Sequence, residues 1–305
     1  MTAETFAHRH PPAGSTPHPP AGSAPRPPAG AEPGGLAWGS QEGGLPLTPA
    51  SGLGLGVAML WFSLLVLIPL TAVMVTASEQ GWSGFWRAVT NEQTAAAIRL
   101  TVATALLVTA VNVVMGTAIA WVLVRDRFPG KRVLELLIDI PFALPTIVAG
   151  LVLLSLYGPQ SPIGINIANT RPAVFLAFLF VTLPFVVRSV QPVLSELDRE
   201  AEEAAASLGA GRFTVFRRII LPSLTPAIAA GAALSFARGV SEYGSLVLLS
   251  GNLPGKTEVA SVRILSSIEN DNLGGAAAIA TLLLAISLVV IVAVDLLQRK
   301  LVRRG

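Results

Sequence analysis

The chain has 305 residues, of which 52% are hydrophobic and 13% are charged, and its mean hydropathy is +0.65. Soluble domains carry about 25% charged residues, so this composition predicts a protein that crosses a membrane several times. The formal net charge of +3 is too small to indicate a nucleic-acid partner. Because the sequence contains no cysteine, disulfides, thiolate catalysis and cysteine metal sites are excluded.

Residues 1–50 differ from the rest of the chain because they are rich in proline and glycine. The tetrapeptide Pro-Pro-Ala-Gly begins at Pro11, Pro19 and Pro27, and few apolar side chains accompany it. This composition predicts a disordered cytoplasmic tail, and the lack of a signal-peptide apolar core predicts that the tail is not cleaved. All three histidines lie here, so we expect no metal site or histidine catalysis in the membrane region.

Six apolar runs follow the tail, and each is as long as the ~20 residues with which a helix crosses ~30 Å of hydrocarbon. An isolated strand in lipid would leave its backbone groups without partners, so all six are expected to be helices. Prolines inside several runs predict kinks. We therefore predict an all-α membrane protein with six transmembrane helices, at residues 53–76, 95–124, 133–157, 172–193, 223–250 and 275–297.

The orientation follows from lysine and arginine, which are enriched in cytoplasmic loops. Three regions are rich in these residues: 125–132, 199–218 and 299–304. The loops on the opposite side carry fewer, namely Arg87, Arg171, Lys256 and Arg263. This asymmetry predicts that both termini lie in the cytoplasm, together with the polar stretch between the fourth and fifth runs.

That polar stretch contains a predicted helix from Asp198 to Leu208, with acidic residues near its start where the helix dipole favours negative charge. Gly209 and Gly211 then permit a sharp reversal of the chain. A second short amphipathic stretch follows, and we expect Pro222 to begin the next span, where its missing N–H costs little. The pattern predicts a rigid helix-turn-helix knob for a partner protein; a solvated loop is the plainer alternative.

The spacing within this stretch carries a family resemblance. Glu-Ala-Ala, three residues, Gly, nine residues, Ile, one residue and Leu-Pro is similar to the signature of the integral membrane subunits of bacterial ABC importers. The resemblance implies the type I importer permease (MetI-like) fold and a coupling segment that docks into a groove of an ATP-binding subunit. The residues that it assigns to coupling are Glu203, Ala204, Ala205, Leu208, Gly209, Ile219, Leu221 and Pro222.

Within that family the chain most resembles the sulfate/thiosulfate permeases of the T or U subunit type. Four stretches carry the similarity: Ile140–Thr146, Leu183–Leu194, Arg238–Ser245 and Ser250–Val259. The molybdate permeases share part of this pattern and are the near alternative, whereas the loop Lys256-Thr257-Glu258-Val259 favours sulfate. The resemblance extends over about residues 53–299 and implies import of sulfate or thiosulfate by alternating access.

The same resemblance implies the partners: a pair of ATP-binding subunits that hold ATP and magnesium, a related permease of the W type, and an extracytoplasmic sulfate-binding protein. No cofactor is expected in this chain. After the tail, we divide the sequence into a first helix with its external loop (51–94), the permease core (95–299) and a basic C-terminal tail (300–305).

Among the charged residues within or beside the apolar runs, we single out Arg188, Arg238 and Glu242. A charge in hydrocarbon costs at least ~2.5–3.5 kcal/mol, so such residues face a bundle interior or a water-filled path. Arg238 and Glu242 are four residues apart and can pair on one helix face. Two interpretations remain open: ion pairs that fix the packing, or positive potential along a route for a dianion. In the outer loop, Asn252 and Lys256 are candidates for contact with a binding protein.

Other functional classes have less support. Gly251–Thr257 looks like a phosphate-binding loop, but it has three residues between its glycines where that loop needs four, and it follows a span. We therefore expect no ATPase site, and no enzymatic activity, in this chain. A secondary transporter driven by an ion gradient would show internal inverted repeats, and none is evident in the sequence.

Overall fold

The computed structural model describes residues 49–302, so the predicted Pro/Gly-rich tail and the last three residues lie outside the described part. The described residues are mostly helical and contain no strand. In chain order the helices are α1 (Pro49–Phe62), α2 (Ile68–Ser78), α3 (Gly81–Thr90), α4 (Glu92–Arg125), α5 (Lys131–Ala143), α6 (Thr146–Tyr157), α7 (Arg171–Glu196), α8 (Arg199–Ser207), α9 (Arg212–Val215), α10 (Leu221–Val240), α11 (Gly244–Leu249), α12 (Ala260–Glu269) and α13 (Leu273–Val302).

Five continuous helical segments are long and apolar enough to cross a membrane, and α5 with α6 makes a sixth span if the bent pair is counted as one. The all-α fold and the number of apolar spans predicted from the sequence are thereby confirmed. The five continuous segments are Ser51–Ser78, Glu92–Arg125, Arg171–Glu196, Arg212–Val240 and Leu273–Lys300.

The third apolar run is not one straight helix, because the chain bends by 118° between α5 and α6. Pro145 disfavours the helical conformation of the residue before it, and Leu144 is accordingly extended, with φ −84° and ψ 134°. The helix resumes directly after Pro145, at Thr146. The kink expected from the prolines is therefore a complete break of the helix.

The fifth apolar run is also shorter as a helix than predicted, and the prediction of one helix over 223–250 is wrong. Helix α10 ends at Val240, and the short helix α11 begins at Gly244 after a turn. Glu242 lies in that turn and is buried. Its carboxylate accepts hydrogen bonds from the N–H and the hydroxyl of Ser245, so it caps the start of α11 and cannot continue α10.

The helix that contains Pro222 begins earlier than expected. The stretch after Gly211 is not a separate short helix, because Arg212–Val240 is one continuous helical segment. It includes a π turn at Phe216–Ile220, two residues before the proline. The first span shows the same arrangement, with a π turn at Ser63–Leu67 before Pro69. A wider turn accommodates a proline that lacks an N–H and would otherwise crowd the preceding carbonyl.

Helices α4, α7 and α10 pack together and form the centre of the core. One apolar cluster contains Phe178 and Phe236, and a second contains Leu123, Val187 and Leu224. Glycines permit close contact between these helices: a Cβ at Gly231 would lie 2.9 Å from the Cα of Val186. The result is a tightly packed three-helix centre to which the other helices attach.

The two ends of this centre carry different segments. At the end where α4, α7 and α13 begin and α10 ends lie α3, α11 and α12; we call it the outer end. At the other end, which we call the inner end, residues 198–222 connect α7 to α10. The charge asymmetry predicts that the inner end faces the cytoplasm.

Candidate functional site

The connecting segment 198–222 begins with a well-formed helix start. The Asp198 side chain accepts a hydrogen bond from the N–H of Glu200 at 2.8 Å and so caps α8. Glu200 and Glu202 lie in the first turn, where negative charge is favourable. The helix predicted from Asp198 to Leu208 is therefore present, with local signals that explain its start.

The end of α8 is fixed by Gly209. Its φ of +84° lies in the left-handed region that favours glycine. The N–H of Gly209 donates to the carbonyl of Ala206 at 2.9 Å, and the N–H of Ala210 donates to the carbonyl of Ala205 at 3.0 Å. This pair of bonds is the Schellman motif, which stops a helix and turns the chain sharply. The reversal expected from the glycines is made here by Gly209.

The predicted coupling residues divide between the surface and the chain's own core. Glu203, Ala204, Leu208 and Gly209 are exposed, and Leu208 is 89% accessible. Leu208 is therefore a large apolar side chain left uncovered on a polar segment. The partly buried residues Ala205 and Ile219 pack against the inner apolar cluster, while Leu221 and Pro222 belong to helix α10.

An ion pair joins α8 to the membrane core. Arg125, the last residue of α4, pairs with Glu202 of α8, and both side chains are largely buried. The guanidinium carbon also lies 5.4 Å from the ring centroid of Trp121, within the range of a cation–π contact. Trp121 in turn meets Phe216 edge to face, with centroids 5.6 Å apart.

Sequence reasoning missed this connection. In the sequence Arg125 belongs to the basic region 125–132, and Glu202 is one of the acidic residues near the start of the predicted helix. The two residues are 77 positions apart, so no local spacing relates them. Their pairing gives the segment a direct mechanical contact with the end of a membrane helix.

Arg188 forms a second ion pair, between α7 and α5. Its Nε donates to Asp139 Oδ1 at 2.8 Å, and its Nη2 contacts the other oxygen of the same carboxylate. Its Nη1 donates to Gln191 at 2.9 Å. A two-point contact of this kind orients a guanidinium firmly. The observed geometry is that of a contact between helices.

Arg238 and Glu242 also pair, as their spacing predicted, but Glu242 lies beyond the end of α10. Arg238 Nη2 is 2.8 Å from Glu242 Oε2 as a charge contact, without the alignment of a hydrogen bond. Arg238 retains 30% of its side-chain accessibility, whereas Glu242 has none. The pair does not involve Arg188, so the three charges form two separate ion pairs.

A buried polar group lies between the three central helices. Asn112 of α4 donates through Nδ2 to Thr182 Oγ1 at 2.8 Å and to Ser235 Oγ at 3.2 Å. Thr182 belongs to α7 and Ser235 to α10, so one amide links all three helices. Sequence reasoning missed this contact too. Within residues 49–302 no cluster of side chains suited to a metal ion occurs.

The two candidates in the outer loop have different surroundings. The Asn252 side chain is engaged within its own loop: Oδ1 accepts from Ser250 at 3.0 Å, and Nδ2 donates to the carbonyl of Val247 at 3.3 Å. Lys256 is exposed, and its carbonyl accepts from Arg171 at 3.2 Å. Contact of these residues with a binding protein stays a prediction.

Comparison with known proteins identifies the family. Residues 112–304 match the family model of the binding-protein-dependent transport system inner membrane component. The chain is 42% identical over 263 residues to the sulfate transport system permease protein CysT of Salmonella typhimurium, covering 84% of this chain and 95% of that protein. It is 44% identical over 250 residues to the protein of the same name from Synechocystis, covering 80% and 87%.

A chain in the crystal structure of a bacterial alginate ABC transporter, in complex with an alginate pentasaccharide-bound periplasmic protein, shares the fold. The TM-score is 0.68 at 17% sequence identity, and the match covers 82% of this chain and 94% of that chain. The chain therefore belongs to the family of inner membrane components of binding-protein-dependent transport systems.

Proposed function

We propose that this chain is one of the two permease subunits of an ATP-driven importer that carries sulfate or thiosulfate into the cytoplasm. The substrate is inferred from sequence identities of 42% and 44% to two proteins named as sulfate transport system permeases. The matches cover 95% and 87% of the lengths of these two proteins, so the likeness extends over most of each of them.

In the proposed mechanism, α8 docks on an ATP-binding subunit through its exposed side. Leu208 supplies an apolar anchor, Glu203 a charge beside it, and the exposed Phe213 extends the apolar surface. Movement of the docked helix reaches the membrane core through the ion pair of Glu202 with Arg125 at the end of α4. The permease therefore converts a displacement at the inner end into a rearrangement of packed helices.

The proposed partners follow from this division of tasks. ATP and magnesium are bound by a pair of ATP-binding subunits, while this chain provides a path and a gate without bond chemistry. A related W-type permease supplies the second half of the path. A sulfate-binding protein delivers the anion at the outer end, where Lys256 is exposed.

The test uses the assembled complex in liposomes, with sulfate uptake and ATP hydrolysis measured on the same preparation. Glu203→Lys reverses a charge at the proposed docking side, so we expect uptake to fall to background while the subunits still assemble. Glu196→Lys is the matched control, because Glu196 is an exposed carboxylate at the same end, outside α8. Full uptake with Glu203→Lys would refute the docking role of α8.

Competition distinguishes the substrates. We expect unlabelled sulfate and thiosulfate to suppress uptake of labelled sulfate at much lower concentrations than molybdate does. Stronger competition by molybdate would reassign the complex to that oxyanion. Uptake by the permease without its ATP-binding subunits would instead indicate a transporter driven by an ion gradient.

A further inference from the structure

A polar cavity lies at the outer end of the bundle, between α3, α12 and the beginnings of α4 and α13. Its volume is about 350 Å³, which is within the range of small-molecule sites. Two arginines line it, Arg87 of α3 and Arg263 of α12, and no aspartate or glutamate is among its lining residues. Within residues 49–302 neither arginine forms an ion pair. The cavity is therefore a concentration of unneutralised positive charge.

Neutral hydrogen-bonding side chains complete the lining. Thr94 and Ser267 are buried in its wall, and Asn91, Asn272 and Gln80 lie around it. Arg263 Nε is 3.4 Å from Thr94 Oγ1, a contact that holds the guanidinium against α4. Arginine and amide groups of this kind are the donors that planar and tetrahedral oxyanions accept from in proteins.

Two long helices begin at the cavity. Asn91 caps α4 by accepting from the N–H of Gln93 at 3.1 Å, and Asn272 caps α13 by accepting from the N–H of Gly275 at 2.9 Å. The helices are 34 and 30 residues long, so each presents a full N-terminal dipole. Both helix dipoles favour binding of an anion in the cavity, beside Arg87 and Arg263.

Glycines leave room for the amide side chains of the cavity. A Cβ at Gly84 would lie 2.4 Å from the Cβ of Gln80, and one at Gly274 would lie 2.6 Å from its Nε2. A Cβ at Gly275 would lie 2.5 Å from Asn272 Nδ2. Larger residues at these positions would displace the two amides, so the local sequence is fitted to the polar lining.

We propose that this cavity binds one small tetrahedral oxyanion, such as sulfate, at the outer end of the permease. Arg87 and Arg263 provide the charge, and the Thr94 hydroxyl and the side-chain amides provide neutral donors, while the Ser267 hydroxyl donates to the carbonyl of Arg263. That the bound ion is also the transported ion rests on the proposed function, whereas the binding itself does not. A lipid phosphate has the same chemistry, and the experiment separates it from a free ion.

The experiment measures binding of labelled sulfate to the purified full-length chain in an uncharged detergent, by equilibrium dialysis. We expect saturable binding at one site, and Arg263→Gln weakens it by about tenfold to a hundredfold, the loss typical of one charge-assisted hydrogen bond. Arg99→Gln is the matched control: Arg99 is an exposed outer-end arginine of α4 that does not line the cavity, and its loss leaves binding unchanged. Equal binding by wild type and Arg263→Gln overturns the proposal.

A second arm identifies the source of the oxyanion. In nanodiscs of phosphatidylglycerol, sulfate binding that persists at the same affinity supports a site for a free ion. Binding that is abolished by phosphatidylglycerol, and retained in phosphatidylcholine, would assign the cavity to a lipid headgroup and overturn the proposal. If the complex transports no sulfate while the chain still binds it through Arg263, the proposed function fails and the site stands.

Discussion

At the outer end of the bundle, side-chain hydrogen bonds hold the segment from Ser241 to Val259 together and join it to α4, whereas apolar contacts and one ion pair hold the inner segment 198–222 in place. In the outer segment, Glu242 caps α11, and the Thr257 hydroxyl donates to the carbonyl of Ser250 at 2.6 Å. Glu258 accepts from Gln93 of α4 at 3.0 Å. The outer segment therefore finds its polar partners within the chain.

The inner segment, in contrast, has large apolar side chains that the described part of the chain leaves exposed. Leu208 is 89% exposed and Phe213 is 74% exposed, although both are large apolar side chains. An internally satisfied segment can hold its shape alone, while exposed apolar groups beside exposed charges are stabilised by a partner that covers them. The difference supports the proposal that the inner end docks on a partner while the outer end keeps a fixed frame.

Among the variants that test this comparison, Glu242→Ala at the outer end is expected to have the largest effect on stability. The change removes both bonds to Ser245 and leaves Arg238 without its charge partner. We expect a loss of about 3 kcal/mol, the low end for breaking a buried pair, because Arg238 is still partly exposed. The measurement is thermal unfolding of the purified chain in detergent. Glu242→Gln is the control: it keeps an acceptor for Ser245 and is expected to lose less, and an unchanged unfolding temperature for Glu242→Ala would show that the cap does not hold the outer segment.

The sequence predicts the inner segment better than the outer one, for a physical reason. The signals of α8 are local: a capping aspartate at 198, acidic residues in the first turn, and a glycine at 209 where φ is positive. The end of α10 at Val240 has weaker signals: Gly239 and Ser241 interrupt the run, but apolar residues resume at Leu246–Leu249 and favour one continued helix. Glu242 marks the break, because it caps α11 through Ser245, three residues further on. The Ser261 hydroxyl donates to the Glu242 carbonyl from 19 positions away, and local spacing does not predict this contact.

The candidate site shows the same limit. The motif residues could be placed on α8 and the start of the following helix from their spacing alone. Arg125 and Glu202 could not be paired in this way, because 77 residues separate them. The sequence also does not predict the π turn before Pro222, since a proline is as compatible with the start of a helix as with a local change of pitch inside one. Long-range pairing and small changes of helical pitch are decided by packing.

A smaller effect is expected at the turn of the inner segment. Gly209 has φ +84° and Gly211 has φ −66°, and an added Cβ would meet no atom within 4 Å at either position. Gly209→Ala therefore tests backbone strain alone, with an expected cost of about 1–2 kcal/mol. Gly211→Ala is the matched control and is expected to be neutral. Hydrogen exchange of the amides of residues 204–210 measures the difference, and equal protection in both variants would contradict a strained turn at Gly209.

The smallest effect on stability, but a specific effect on coupling, is expected from the Arg125–Glu202 pair. In a double-mutant cycle with Arg125→Gln and Glu202→Gln, we expect an interaction energy of about 1 kcal/mol. Asp295 and Arg299 form an exposed pair on one helix, with side chains 46% and 68% accessible, and Asp295→Asn is the control with no expected effect.

If the Arg125–Glu202 pair transmits movement from α8 to α4, either inner variant lowers the sulfate imported per ATP hydrolysed in the reconstituted complex, whereas Asp295→Asn does not. A loss of stability with an unchanged ratio of uptake to hydrolysis would make the pair a packing contact and leave the transmission to the apolar contacts of Ala205 and Ile219.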